Sequence, residues 1–114
     1  VGLCVAAPSV ENVEEFAQFI DNELAPSGIN TLILRVDFNY DYKLRPELRD
    51  ENPLTFKDVK SIVNVCKKNK INLIPQVNLL GHQSWESRLN KLLEVYPEFD
   101  VRVVKDAFYL FLAD

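Results

Sequence analysis

The sequence predicts an α/β fold built from parallel βαβ units. Three short apolar runs, near residues 3–7, 31–36 and 71–77, read as strands. The segments between them are a dozen residues or longer, and their apolar positions recur every three or four residues, the period of a helix. Strands that alternate with helices of this length pair in parallel through right-handed crossovers.

The first strand, Leu3 to Ala7, is closed by Pro8, and its small residues Ala6 and Ala7 suit a crowded interior. Ser9 or Asn12 can cap the next helix, where Glu11, Glu14 and Glu15 favour the positive N-terminal end. Val13, Phe16, Ala17, Ile20 and Leu24 then make one buried stripe, and Pro26 and Gly28 stop the helix. The second strand, Thr31 to Val36, is nearly continuous in apolar residues, the pattern of a strand covered on both faces. Arg35 interrupts it near its C-terminal end.

A polar stretch follows from Asp37 to Asn52. Thr55, with Asp58 three residues on, is a capping box that opens the second helix, whose stripe is Val59, Ile62, Val63 and Cys66 and whose end is Lys70. The third strand, Ile71 to Val77, contains Pro75, which lacks a backbone donor and should interrupt the ladder nearby. Asn78 to Ser84 reads as a loop. Trp85 or Glu86 opens a third helix with the stripe Leu89, Leu92, Leu93 and Tyr96, and Pro97 ends it. The tail 101–114 fits either a strand or a buried helix, so its placement stays open within one domain spanning 1–114. The first helix carries five acidic residues and the second five lysines, charges that suit neighbours on one side of a sheet.

Composition narrows the function. The chain has 114 residues, 47% hydrophobic and 26% charged, an ordinary globular balance that excludes disorder and allows one buried core. Thirteen basic against seventeen acidic residues give a net charge of -4, which argues against nucleic-acid binding. No apolar run is long enough to cross a membrane. No signal-peptide pattern opens the chain, and the absence of an initiator Met predicts a trimmed N-terminus. Cys4 and Cys66 lie far apart among apolar residues and read as buried free thiols. Without a CxxC or a Cys/His cluster, neither a structural zinc nor another cofactor is expected.

In parallel α/β folds, ligands bind at the C-terminal ends of the strands. That rule selects Ala7 to Ser9, Arg35 to Tyr42, and Gln76 to Trp85. In R-V-D-F-N-Y-D-Y-K, aromatics alternate with Asp37, Asn39 and Asp41. Aromatic faces stack on the apolar faces of sugars, while carboxylates and amides bind hydroxyls, so this mixture suits a carbohydrate cleft. Tyr40 and Tyr42 are equally suited to folding back onto the protein. In I-P-Q-V-N-L-L-G-H-Q-S-W, the single histidine, His82, follows a strand end among Gln76, Asn78, Gln83 and Trp85, and Gly81 permits a tight turn before it. Trp85 serves as well for a core residue.

The segment I-P-Q-V-N-L-L-G-H-Q-S resembles the third-strand region of family 20 glycoside hydrolases, the β-N-acetylhexosaminidase-like (β/α)8 barrels, whose pattern there is roughly I-P-E-I-D-x-P-G-H-S. Gly28-Ile29-Asn30-Thr31 with L-I-L-R-V-D is similar to the family's approach to its second strand, and Tyr42 to Leu48 to the loop after it. The resemblance covers about residues 1 to 100. It implies the N-terminal part of a TIM barrel, since a whole one takes about 250 residues. It also implies a carbohydrate substrate such as a terminal N-acetylhexosamine and a periplasmic or secreted setting, although the residues themselves leave the compartment open.

Carried over by position, His82 is a pocket residue and Asp37 a substrate contact. Asn39, Asn78 and Trp85 complete the expected binding set. Gln76, Asn78 and Leu80 stand where the family has Glu, Asp and Pro, and the first strand lacks the family's sugar-holding Arg. The family's mechanism is substrate-assisted: an Asp orients the attacking acetamido group and a Glu is the general acid. That Asp-Glu pair lies at the end of the fourth strand, and this chain has no such pair at a strand end. No catalytic residue is therefore assigned, and the chain alone is expected to be inactive. Two other readings stay open: a non-catalytic carbohydrate-binding barrel relative, and a small flavodoxin-like α/β domain with no sugar link, in which the absence of a glycine-rich phosphate loop from this sequence argues against nucleotide binding. A partial barrel leaves sheet edges unpaired, which predicts that chains associate through those edges or the apolar tail, unless the tail folds back as a fourth strand.

Overall fold

The computed structural model describes residues 1–78, 84–85, 88–89 and 91–97. His82 and the tail 101–114 lie outside the described residues. The chain divides into two units, Val1–Val77 and Asn78–Asp114.

The first unit is α/β. Strands β1 (Gly2–Ala6), β2 (Thr31–Arg35) and β3 (Asn72–Gln76) form a parallel sheet in the order β1-β2-β3. Cys4, Ile33 and Ile74 lie in one row, and Ala6, Arg35 and Gln76 in the next row but one. The helix α1 (Val13–Phe19) connects the first two strands and α2 (Phe56–Lys68) the second two. Laying successive strands in one direction with right-handed crossovers puts both helices on the same face. There Val13, Ile20 and Leu24 meet Leu32, Leu34, Leu54, Ile62, Cys66 and Ile71 in one buried cluster.

Within the first unit, no helix lies over the other face. This corrects the expectation that β2 is covered on both sides: Leu32 and Leu34 are 0% and 3% exposed, whereas Thr31 and Ile33 are half-buried and Arg35 is exposed. It also corrects two further expectations. Cys4 and Ala6 point to this bare face and are exposed, so only Cys66 is a buried thiol, and burial raises its pKa.

Local chemistry explains the helix ends. The N-terminal entry to α1 is a 3₁₀ turn, Val10–Asn12, and neither Ser9 nor Asn12 caps α1 through its side chain. The Asn12 amide instead donates to Ser9 Oγ at 3.0 Å, which diverts the capping oxygen. Past Phe19 the helix widens into a π turn, Ile20–Leu24, closed by the Ala25 N–H on the Ile20 carbonyl at 3.0 Å. Gly28 then takes φ +88, and Ile29 N–H returns to the Leu24 carbonyl. At α2 the capping box forms as expected: Asp58 N–H donates to Thr55 Oγ1 at 3.2 Å, and Thr55 N–H to Asp58 Oδ2 at 2.9 Å. The helix ends at Lys68, with Lys70 in the left-handed region at φ +55.

Pro75 does not interrupt the ladder. Asn72 N–H donates to the Asn30 carbonyl at 2.8 Å and Val36 N–H to the Gln76 carbonyl at 2.9 Å. The even-numbered residues of β3 therefore face β2, and the Pro75 nitrogen turns to the outer edge, where no described strand pairs with it.

In the second unit, β4 (Ser84–Trp85) pairs antiparallel with β5 (Arg88–Leu89), and α3 spans Lys91–Val95. The expected helix start at Trp85 or Glu86 is thus corrected to Lys91. Trp85 and Leu89 are spaced for one helical face, but cross-strand pairing of Trp85 with Arg88 takes that stretch. Leu93 is buried and Tyr96 N–H closes on the Leu92 carbonyl at 2.8 Å just before Pro97. No described helix is long and apolar enough to cross a membrane.

Candidate functional site at the strand ends

The C-terminal row of the sheet, Ala6–Arg35–Gln76, ends on the bare face, and the loop after β2 begins there. Asp37 occupies the left-handed region at φ +48, which Asp tolerates better than most residues. Its backbone is held on two sides: its N–H approaches the Gln76 carbonyl at 3.4 Å, and its carbonyl accepts the Tyr42 hydroxyl at 2.6 Å. Arg35 Nε lies 3.7 Å from Asp37 Oδ2. The expected contact residue Asp37 is thus fixed beside Arg35, at the rim where a ligand of a parallel sheet would sit.

Gln76 reaches the same place from β3. Its Oε1 accepts from Cys4 Sγ at 3.6 Å, over the intervening strand β2. Arg35 opens one of the segments selected from sequence but is not among the expected binding residues, and Cys4 lies outside those segments. The signal for Arg35 was present: a lone charge inside an apolar strand. Cys4 carried none, because its apolar neighbours disguise which face it occupies.

The loop residues divide by what already engages them. Both ends of the Asn39 amide are in use: Nδ2 donates to the Pro8 carbonyl at 3.0 Å, and Oδ1 accepts from Leu54 N–H at 3.3 Å. Asn39 therefore ties the loop after β1 to the loop after β2. Tyr40 and Tyr42 pack edge-to-face on each other with centroids 5.3 Å apart, and the Tyr42 hydroxyl folds back onto its own loop at the Asp37 carbonyl. Burial, and then the charge of Asp37, raises the Tyr42 pKa and keeps it a hydroxyl donor. Asp41 binds Lys43 and Arg49; the Lys43 hydrogen bond lowers its pKa most, with the Arg49 charge adding to it.

Beside the end of β1 lies a polar hollow of about 350 Å³ lined by Ala7, Ser9, Glu11, Asn39, Asp50, Glu51 and Asn52. Its carboxylates form no group suited to a metal ion among the described residues.

Of the other expected site residues, Asn78 is half-buried two residues beyond β3, in the second unit. Trp85 lies in β4, and His82 is outside the described residues. No protein-family model matches the chain, and no curated protein sequence matches it.

Proposed function

We propose that this chain carries part of the carbohydrate-binding rim of a family 20-like glycoside hydrolase barrel and is catalytically inactive alone. The observation that carries the reading is the polar end of the bare sheet face. Arg35, Asp37 and Gln76 meet there, in the same segments whose sequence resembles that family. The sequential strand order supports the partial (β/α)8 reading, because a barrel needs every crossover on its outside and a bare face within. It counts against a flavodoxin-like order, which reverses direction after its first strand pair and puts helices on both faces.

In this reading Asp37 accepts sugar hydroxyls while Arg35 and Gln76 donate to sugar oxygens. The resemblance adds His82 to the expected binding residues, and the aromatic Trp85 is a further sugar-stacking candidate by residue type. The non-catalytic relative remains the second reading, favoured by Gln76 and Asn78 at positions where the family has acids. Titrating the full chain with N-acetylglucosamine, with amide NMR shifts as readout, tests the shared claim. Shifts clustered at Arg35, Asp37 and Gln76 support it, and a flat response across these residues overturns it.

A further inference from the structure

Arg35 and Gln76 are directly paired across the β2–β3 ladder, so their side chains leave the bare face from backbones about 4.8 Å apart. Each brings hydrogen-bond donors that no other described residue engages. The Gln76 carbonyl oxygen is taken by the Cys4 thiol at 3.6 Å, and its Nε2 has no partner among the described residues. Arg35 faces Asp37 only through Nε, at 3.7 Å, and its two Nη nitrogens have no partner among the described residues. The two free edges, Arg35 Nη and Gln76 Nε2, offer only donors. The chemical complement is a planar group with two acceptor oxygens and a negative charge.

We infer that Arg35 and Gln76 form a subsite for the carboxylate of an acidic sugar, a hexuronate. The inference rests on the carbohydrate reading and names its substrate class. One carboxylate oxygen takes the Arg35 Nη edge and the other the Gln76 Nε2. Cys4 is a positioning residue: by engaging Oε1 it turns the donor end of the amide toward the ligand. Asp37 steadies the guanidinium from its Nε side and repels the incoming carboxylate, which weakens binding. The neutral face of the sugar lies over Ile33 and Ile74, the next residues along that face.

Titrations of the full chain with D-glucuronate, D-glucose, N-acetylglucosamine and acetate, followed by amide NMR shifts, test this. Glucuronate should bind about tenfold tighter than glucose, the worth of a charge-assisted hydrogen-bond pair at an exposed site. Acetate should bind more weakly than glucuronate. Arg35→Met should collapse the glucuronate-to-glucose ratio to near one, and Gln76→Glu should invert it. Arg35 is exposed, so its variant should fold, and an unchanged amide spectrum away from the rim checks this. Equal binding of glucuronate and glucose, or a preference that survives Arg35→Met, overturns the subsite and leaves the carbohydrate reading standing. Acetate matching glucuronate also overturns it, in favour of a simple anion site. Failure of every sugar to bind overturns both.

Discussion

Asn69 Nδ2 donates to Asp21 Oδ1 at 2.9 Å, so the C-terminal end of α2 is joined to the π turn that follows α1. Lys68 Nζ reaches the other carboxylate oxygen at 3.1 Å. The acidic first helix and the basic second one therefore meet at a defined point. Asn69 and then Lys68 lower the Asp21 pKa from its ordinary value of 3.8.

That shift has a sign in stability. A carboxyl whose pKa is lower folded than unfolded stabilises the fold above the unfolded value, and the gain is lost as the pH falls through the folded value. Thermal melts from pH 6 down to pH 2 should show Asp21→Asn converging on the wild type at the acid end. A difference that grows on acidification would contradict this assignment.

The capping box at Thr55 and Asp58 should be measurable alone. Thr55→Ala should cost about 1 kcal/mol in urea melts, the usual worth of an N-cap. Thr55→Ser, which retains the hydroxyl, should recover most of it. Equal losses for the two variants would show that the hydroxyl is not the stabilising group.

Ile62 and Phe56 lie on the same helix at opposite extremes of burial, 0% and 68% exposed. Ile62→Ala should cost about 2–5 kcal/mol through lost burial and the cavity left behind. Phe56→Ala should stay within about 0.5 kcal/mol. Chemical denaturation of both variants reads the contrast, and similar losses would place the core elsewhere.

Activity should be absent in the chain alone. An aryl N-acetyl-β-glucosaminide should show no hydrolysis above buffer, since loss of a general acid alone costs about 10²-fold or more. Robust turnover abolished by His82→Ala would show that the chain contains a catalyst that the resemblance does not assign.

Association is expected at the sheet edges. The outer edge of β3 carries Pro75 with its nitrogen turned outward, and Pro75→Val would add an N–H to that edge without disturbing the ladder to β2. Light scattering at micromolar concentration should show more than one chain per particle, with a greater mass for Pro75→Val. A clean monomer in both proteins refutes the edge as a seam.

Residues 1–77 were largely legible in sequence because their signals are local. The Thr55/Asp58 box, the Val13–Leu24 stripe and the three apolar runs each depend on neighbours within a few residues. Helix and strand periodicities therefore located β1, α1, β2, α2 and β3 to within a residue or two at most ends. Asp37 could be placed at the rim of the sheet because it closely follows a strand end.

What sequence alone could not decide was which side of each element faces what. The bare face of β2 follows from the strand order, a pairing between segments about forty residues apart, as at Arg35 and Gln76. The same pairing turns Pro75 outward, exposes Cys4 and brings its thiol to Gln76. Asn39 is legible as a polar loop residue, but its engagement by Pro8 and Leu54 depends on two loops converging. Trp85 and Leu89 satisfy a helical spacing that cross-strand pairing overrides. Composition and spacing determined the elements. Tertiary pairing decided the faces, because burial belongs to a surface and a surface exists only once distant segments have met.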